Sequence, residues 1–369
     1  MTDAQLEDKV KQEQTDKFVC KSCGANMVFS PENNALLCPY CGNKSEILNE
    51  TGPIAEYDFL EAEKRADQTW GDGTRVIKCD SCGAETILDA NSTAQFCAFC
   101  GSSHIVEGNK SAGILPESLI PFKVSENNAK QLFSQWIKKR FFAPGAMKNN
   151  SQMQKLKGVY IPGWTYDSNT FSSYTGEGGT YYYVQETEWV EENGQRVART
   201  KQVRKTRWWP TSGTYSGYFN DLPVNASKQL DGALMSKLEP FEREELVKYK
   251  PEYLSGFFAE RYSIGLREGW ETVREHIDFE LRQAVERQIN ADEVRNLSIR
   301  TSYNDIKFKL TLLPVWISAF IYKNKSYTFM VNGQTGRIAG RYPLSAIKVT
   351  LFTLLLLGIV GFLAYLIMK

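Results

Sequence analysis

Eight cysteines are the residues of this 369-residue chain best able to do chemistry, and all eight fall in four C-x-x-C pairs. Cys20 and Cys23 are followed, after 14 residues, by Cys38 and Cys41. Cys79 and Cys82 are followed, again after 14 residues, by Cys97 and Cys100. Each cysteine of the second set lies 59 positions after its counterpart, which marks a duplicated unit. Two residues between thiolates let one tight turn place both sulfurs on one edge of a tetrahedron, and the second pair supplies the opposite edge. Gly24, Gly42, Gly83 and Gly101 follow the pairs. Glycine can take a left-handed conformation there and turn backbone N–H groups toward sulfur. The pattern predicts two structural zinc ions, each closed by four thiolates with no open position for substrate. A unit of about 30 residues buries too little apolar surface to fold alone, and a structural zinc supplies roughly 10–16 kcal/mol of apparent binding energy. Disulfides would need an oxidising compartment. His104, just past the second quartet, reads as a surface or packing residue rather than a fifth ligand.

The elements that must position these quartets are anchored at one end. Val349–Met368 is 20 residues without a charge, between Lys348 and Lys369. As a helix it spans about 30 Å, the thickness of a bilayer's hydrocarbon core. A transmembrane helix is expected over 347–368, with Val349, Leu354, Leu357, Phe362 and Leu366 among its lipid-facing residues. Arg337, Arg341 and Lys348 precede it and a single Lys369 follows. The positive-inside bias predicts a single-pass protein of the cell membrane with the bulk of the chain in the cytoplasm.

Net charge is +1 and charged residues make up 24% of the chain, so no global field draws it to nucleic acid or anionic lipid. The fold class expected is multidomain: two small β zinc ribbons, an α+β domain with long antiparallel hairpins and amphipathic helices, and one C-terminal transmembrane helix. Residues 1–17 read as a disordered polar tail, without the apolar stretch of a secretory signal. The first ribbon is placed at 18–49, an acidic linker helix at 50–74, the second ribbon at 75–107, a linker at 108–116 and the α+β domain at 117–345. The linker helix rests on the spacing of Tyr57, Leu60 and Trp70, with Asp72-Gly73 as a turn. Ser125 reads as an N-cap, and Ala129, Leu132, Phe133, Trp136 and Ile137 give a helix to about Arg140. Trp270, Val273, Ile277, Leu281, Ala284 and Val285 give a longer one to about Ile289.

Two β patterns are more specific. Leu313-Pro314-Val315-Trp316 echoes Ile161-Pro162-Gly163-Trp164, which suggests a second internal duplication, of a β unit. Asn193-Gly194 is a two-residue hairpin turn. It pairs residues whose numbers sum to 387: Glu191 with Arg196, Glu188 with Arg199, Glu186 with Lys201, Val190 with Val197, and Val184 with Val203. Arg204 and Lys205 would face Tyr183 and Tyr182. The basic stretch Arg196–Trp209 is thereby expected to be neutralised by its own acidic partner strand rather than to bind phosphate. A last hairpin is expected from Tyr327–Val331, the turn Asn332–Gly336, and Arg337–Tyr342.

The two cysteine quartets, Lys157–Trp164, Leu312–Trp316, Val331–Gly336 and the terminal span together resemble a family of bacterial membrane proteins. Its members carry the label TFIIB-type zinc-ribbon-containing protein, some of them primosomal protein N′-like helicase. The layout is also similar to the YdjG type, associated with membrane-stress proteins of the PspA kind. The resemblance implies the eight cysteines as metal ligands and no catalytic residue. The helicase label meets a chemical objection: a phosphate-cradling loop needs G-x-x-x-x-G-K-[ST]. The nearest string, Gly42-Asn-Lys-Ser45, lacks the glycine before lysine. With only His104 and His276 in the chain, a histidine-centred catalytic constellation is hard to build. The expectation is a non-enzymatic, membrane-tethered adaptor or scaffold for protein partners, with PspA-like proteins the partners the resemblance implies. No small-molecule substrate is inferred. The alternative is nucleic-acid binding through the ribbons.

Overall fold

The computed structural model describes residues 18–49, 52–62, 74–89, 97–100, 102, 105–107, 113–145, 156–192, 195–230, 232–322 and 325–368. The expected N-terminal tail, His104, Trp70, Asp72-Gly73 and the Asn193-Gly194 turn lie outside the described residues. The first ribbon is a three-stranded sheet of β1 (Val28–Ser30), β2 (Ala35–Leu37) and β3 (Lys44–Glu46). Where a linker helix is expected, Tyr57–Asp58 is a short strand, β4, that pairs with Lys307 and Phe308. The ring of Tyr57 packs near Phe308 (6.3 Å between centroids), so tertiary pairing sets the conformation at Tyr57–Asp58, while residues 63–73 of the expected helix lie outside the described residues. The second ribbon contributes β5 (Thr74–Cys79), β6 (Glu85–Asp89) and β7 (Ile105–Glu107).

The body is a duplication. Its first half runs through β8 (Ser118–Leu119), α1 (Glu126–Lys138), β9 (Lys157–Glu192) and β10 (Gln195–Asn225). A connection follows, with α2 (Gly232–Leu238) and β11 (Val247–Lys248). The second half runs through β12 (Phe258–Glu260), α3 (Leu266–Ile289), β13 (Glu293–Tyr322) and β14 (Lys325–Asn332), followed by β15 (Ile338–Gly340). β9 and β13 pair antiparallel at the centre, with Ile161 opposite Leu313, the positions that the two P-x-W motifs make equivalent. A pseudo-dyad therefore passes through this pair.

The equivalence extends to individual hydrogen bonds. Val159–Tyr160 of β9 takes Phe258–Ala259 as a parallel neighbour, and Thr311–Leu312 of β13 takes Ser118–Leu119. One proline further on, the neighbour changes: β10 pairs with β9 from Gly163, and β14 pairs with β13 from Val315. Pro162 and Pro314 thus sit at the handover between two neighbouring strands, where a missing N–H interrupts no ladder. Their carbonyls accept from Ala226 N–H (3.0 Å) and Gly333 N–H (2.8 Å). Ala226 O then accepts from Ser263 and Ile264 (2.8 and 3.0 Å), and Gly333 O from Lys123 and Val124 (2.9 and 2.8 Å).

Both tryptophans brace a helix of the other half. Trp164 Nε1 donates to Ile264 O (2.9 Å), beside the α3 N-cap Gly265. Trp316 Nε1 donates to Val124 O (2.8 Å), beside the α1 N-cap Ser125, whose side chain accepts from Asn128 N–H. The helices use matching positions: Ala129, Phe133 and Ile137 of α1 are buried, as are Gly269, Val273 and Ile277 of α3.

The halves differ most in their hairpins. β9 and β10 pair in the expected register along the arm, from Gln195 opposite Glu192 to Phe219 opposite Ser168, where a bulge at Asp221 (φ 51°) shifts it. β13 accompanies β9 only as far as Gly179. Beyond that point the arm is two-stranded and projects by some 13 residues per strand, roughly 40 Å. The cations reach along its diagonals rather than straight across. Lys201 pairs with Glu188, Lys205 with Glu186 (2.6 Å), and Arg204 lies over Tyr181 (4.2 Å). The strong right-handed twist of a two-stranded ribbon brings diagonal neighbours together.

No described side chain of α4 (Ala346–Met368) is buried, and Ala346–Ile367 is long and apolar enough to cross a membrane. Val349, Leu354, Leu357, Phe362 and Leu366 all lie on it and all are exposed.

Candidate metal centres

The C-x-x-C pairs that begin at Cys20, Cys38 and Cys79 form the same tight knuckle. Gly24 N–H donates to Cys20 O (2.9 Å), Gly42 N–H to Cys38 O (3.0 Å) and Gly83 N–H to Cys79 O (2.7 Å). The chain then closes back, with Cys20 N–H to Ala25 O (2.8 Å), Cys38 N–H to Asn43 O (2.8 Å), Cys79 N–H to Ala84 O (2.9 Å) and Cys97 N–H to Ser102 O (2.7 Å). Gly24, Gly42 and Gly83 have φ of 73°, 73° and 76°, and nothing lies within 4 Å of where a Cβ would stand. Glycine is required there by backbone conformation, not by space.

The knuckles bring the four sulfurs of each quartet within 4.8 Å of one another. Cys20 and Cys41 sulfurs are 3.5 Å apart, as are those of Cys23 and Cys38. In the second quartet Cys79–Cys100 is 3.6 Å and Cys82–Cys97 is 3.7 Å. A tetrahedron with metal–sulfur bonds of about 2.3 Å has edges of about 3.8 Å, so the spacing fits a bound tetrahedral ion. A disulfide would need about 2.05 Å. The backbone favours the thiolate form of Cys20 and Cys38. The N–H of Ser22 holds the Cys20 thiol down to about 6, and the N–H of Cys41 lowers Cys38. The neighbouring Cys82 thiol holds Cys97 down to about 5. All eight cysteines singled out by spacing are thus brought together as two Cys₄ groups, each able to hold a metal ion. Four ligands apiece leave the centres coordinatively closed.

Both centres are tied to one segment of the body. In the first ribbon Phe29 packs edge-on against Tyr253 (5.1 Å) and near Phe257 (6.1 Å). Phe29 N–H donates to Ser255 O (2.9 Å), and Ser255 Oγ to Met27 O (2.7 Å). The second ribbon joins the main sheet, with Ile87 opposite Ala259 and Thr86 opposite Glu260. Arg261 donates its backbone N–H to Glu85 O (3.1 Å) and its guanidinium to the Glu85 carboxylate (3.1 Å). Next to this seam Glu260 is buried and accepts from Ser227 Oγ (2.6 Å), and burial pushes its carboxyl up to about 8.

A third polar group was not foreseen. Glu56, Asp167 and Asp221 bring three carboxylates within 4.8 Å of one another. The ammonium of Lys309 sits among them, 2.9 Å from Glu56 and 2.5 Å from Asp221. Asp167 accepts from Asp221 N–H (2.7 Å), and burial beside the other carboxylates raises it to about 6. Lys309 supplies the compensating charge that a cation would otherwise bring, so the cluster reads as a buried ion network under the β10 bulge.

The apolar helix is held at its base. Ser345 N–H donates to Phe142 O (2.8 Å), and Lys348 Nζ to Phe141 O (3.0 Å) and Ala143 O (2.8 Å). Phe142 packs edge-on against Phe352 (5.3 Å). The first turns of α4 are therefore gripped by the segment that follows α1.

No family model matches the chain, and no solved structure is similar to it. Among known proteins, the uncharacterized protein YdjG of Bacillus subtilis is 28% identical over 335 residues, which cover 90% of this chain and 91% of that protein. The chain is thus similar along nearly its whole length to a relative whose name states no activity.

Proposed function

We propose that the chain is a membrane-tethered scaffold, its bulk in the cytoplasm, that recruits protein partners through the projecting β9–β10 arm. The arm carries this reading. An isolated two-stranded ribbon is only marginally stable in water, yet this one extends well past the sheet that supports it. It exposes Tyr183 (62%) and Trp189 (67%). Exposed aromatics of this kind are the residues that anchor protein interfaces. The two Cys₄ groups fit structural zinc and act as struts pinned to the body, not as swinging modules. Tyr40, between Cys38 and Cys41, is 83% exposed and adds a contact on the first ribbon. The gripped base of α4 supports a fixed orientation of the arm to the membrane. Membrane-stress proteins of the PspA kind are the partners to test first. Nucleic-acid binding is the weaker reading, because Lys201 and Lys205 are each paired with a glutamate of the facing strand.

The test is crosslinking in intact cells followed by identification of partners, comparing the full chain with a variant in which residues 183–204 are replaced by Asn-Gly. Loss of crosslinked partners, with membrane location and zinc content retained, is the expected result. Unchanged partners would remove the arm as the docking surface.

A further inference from the structure

The duplication supplies a standard against which each half can be compared, and besides the hairpins one face of the central strand pair fails to match. On one face of the central β9–β13 pair, one side of the pseudo-dyad presents Val159, Val315 and Ile317, all with no exposed surface. They pack with Leu234 and Leu238 of α2 and with Met330. The positions that the pseudo-dyad makes equivalent, on its other side, are Thr311, Gly163 and Thr165. Three branched apolar side chains are replaced by a glycine and two threonines, and nothing moves in to fill the space. A cavity of about 530 Å³ opens there. The cavity opens to solvent at Gly232 and Ser236, both exposed, and its size falls within the range of ligand sites.

Its walls are largely apolar: Met235, Phe241, Leu246, Leu313 and Pro223 contribute. The cation on its wall is Arg243. Nη1 of this arginine donates to the backbone carbonyl of Asp221 (2.9 Å), and among the described residues no carboxylate pairs with it. Glu239 also lies on the wall, with Oε2 accepting from Phe241 N–H (3.0 Å). Lys309, on the same sheet face, is already neutralised by Glu56 and Asp221. An apolar chamber with one guanidinium not matched by a carboxylate suits a molecule that is apolar along its length and anionic at one end.

We propose that this cavity binds a single-chain amphiphile with an anionic head, a carboxylate or a phosphate, with its chain against Leu313 and Met235 and its head on Arg243. Its lining includes none of the eight cysteines and no residue of the projecting part of the arm.

The variant that tests it is written in the other half of the protein. Gly163→Val installs the residue found at position 315. A Cβ at Gly163 meets nothing nearer than Val224 O at 3.6 Å, so the backbone accepts it. The full chain, in nanodiscs of phosphatidylcholine, is irradiated with dodecanoic acid carrying a mid-chain diazirine. Parallel arms use the same chain as a monoalkyl phosphate and as a neutral alcohol. The labelled peptides are mapped by mass spectrometry. Labelling of peptides containing Met235 and Phe241 is expected to fall at least tenfold in Gly163→Val, with labelling of residues 346–368 unchanged as an internal reference. Thr165→Ile, copying Ile317, provides a second filling variant if the first does not fold. Arg243→Gln should abolish the preference for the anionic probes over the alcohol, and Arg243→Lys should restore it. The carboxylate and phosphate arms distinguish a free fatty acid from a phospholipid fragment. Labelling confined to the membrane helix, or cavity labelling indifferent to both filling variants, overturns the site. Equal labelling by the alcohol in the unaltered chain overturns the anionic head.

Discussion

Trp164→Phe and Trp316→Phe should destabilise the body by similar amounts, because each removes one brace between the same two halves. Trp164 is fully buried and Trp316 is 5% exposed. Each gives its indole N–H to the carbonyl just ahead of a helix N-cap, at 2.9 and 2.8 Å. Losing one such bond costs about 1 kcal/mol net, and a buried carbonyl left without a donor costs about 1–3 kcal/mol. Replacing indole by phenyl leaves a small void, worth about another 1 kcal/mol. The sum is about 3–5 kcal/mol for either substitution, a large share of the roughly 5–15 kcal/mol by which domains are stable. Pulse proteolysis of the full chain across a urea series measures it. Because Trp164 holds α3 and Trp316 holds α1, both should shift one shared transition to lower urea. Two separate transitions, or one variant neutral and the other severe, would refute the reciprocal bracing.

Three further outcomes follow from the same structure. Metal analysis of the purified chain should find two zinc ions, and Cys38→Ser should leave one, since each quartet is built from its own knuckles; visible iron–thiolate absorption would refute the zinc assignment. Glu260, raised from 4.5 to about 8 by burial, binds more protons folded than unfolded between those values. Stability should therefore fall as pH rises through that window, and Glu260→Gln should overtake the unaltered chain by a few kcal/mol at pH 8 in paired denaturant titrations; parallel pH curves for the two would refute a buried carboxyl there. Truncation after Ser345 should release the body from membranes, and a fragment that still sediments with them after a high-salt wash would refute anchoring by α4 alone.

What the sequence made legible was short in range. A C-x-x-C-G string builds its own knuckle, so all eight metal-site residues could be named from spacing. The arm's register was legible because Glu191, Glu188 and Glu186 meet Arg196, Arg199 and Lys201 around a turn that sits between them. The strand at Tyr57–Asp58 was not legible, because Tyr57 carries no local mark of its partner β13, some 250 residues later. Glu56, Asp167, Asp221 and Lys309 likewise come from four separate stretches, and each alone looks like a surface charge.

The P-x-W motif lies between these cases. Its repetition is visible, and it correctly announces a repeated β unit. Its purpose is not visible, because neither residue serves the unit that contains it. Pro162 marks where β9 exchanges a neighbour from the second half, β12, for one from its own, β10. Trp164 reaches across to the chain ahead of α3, and Trp316 returns the favour ahead of α1. A half made alone would have a proline with no handover to mark and a tryptophan with no helix to brace. The same reasoning bears on the cavity. Two halves locked by such reciprocal bonds keep their backbone frame even where side chains diverge. Gly163, Thr165 and Thr311 could therefore lose their bulk without collapse of the sheet, because the frame around them is held by the opposite half.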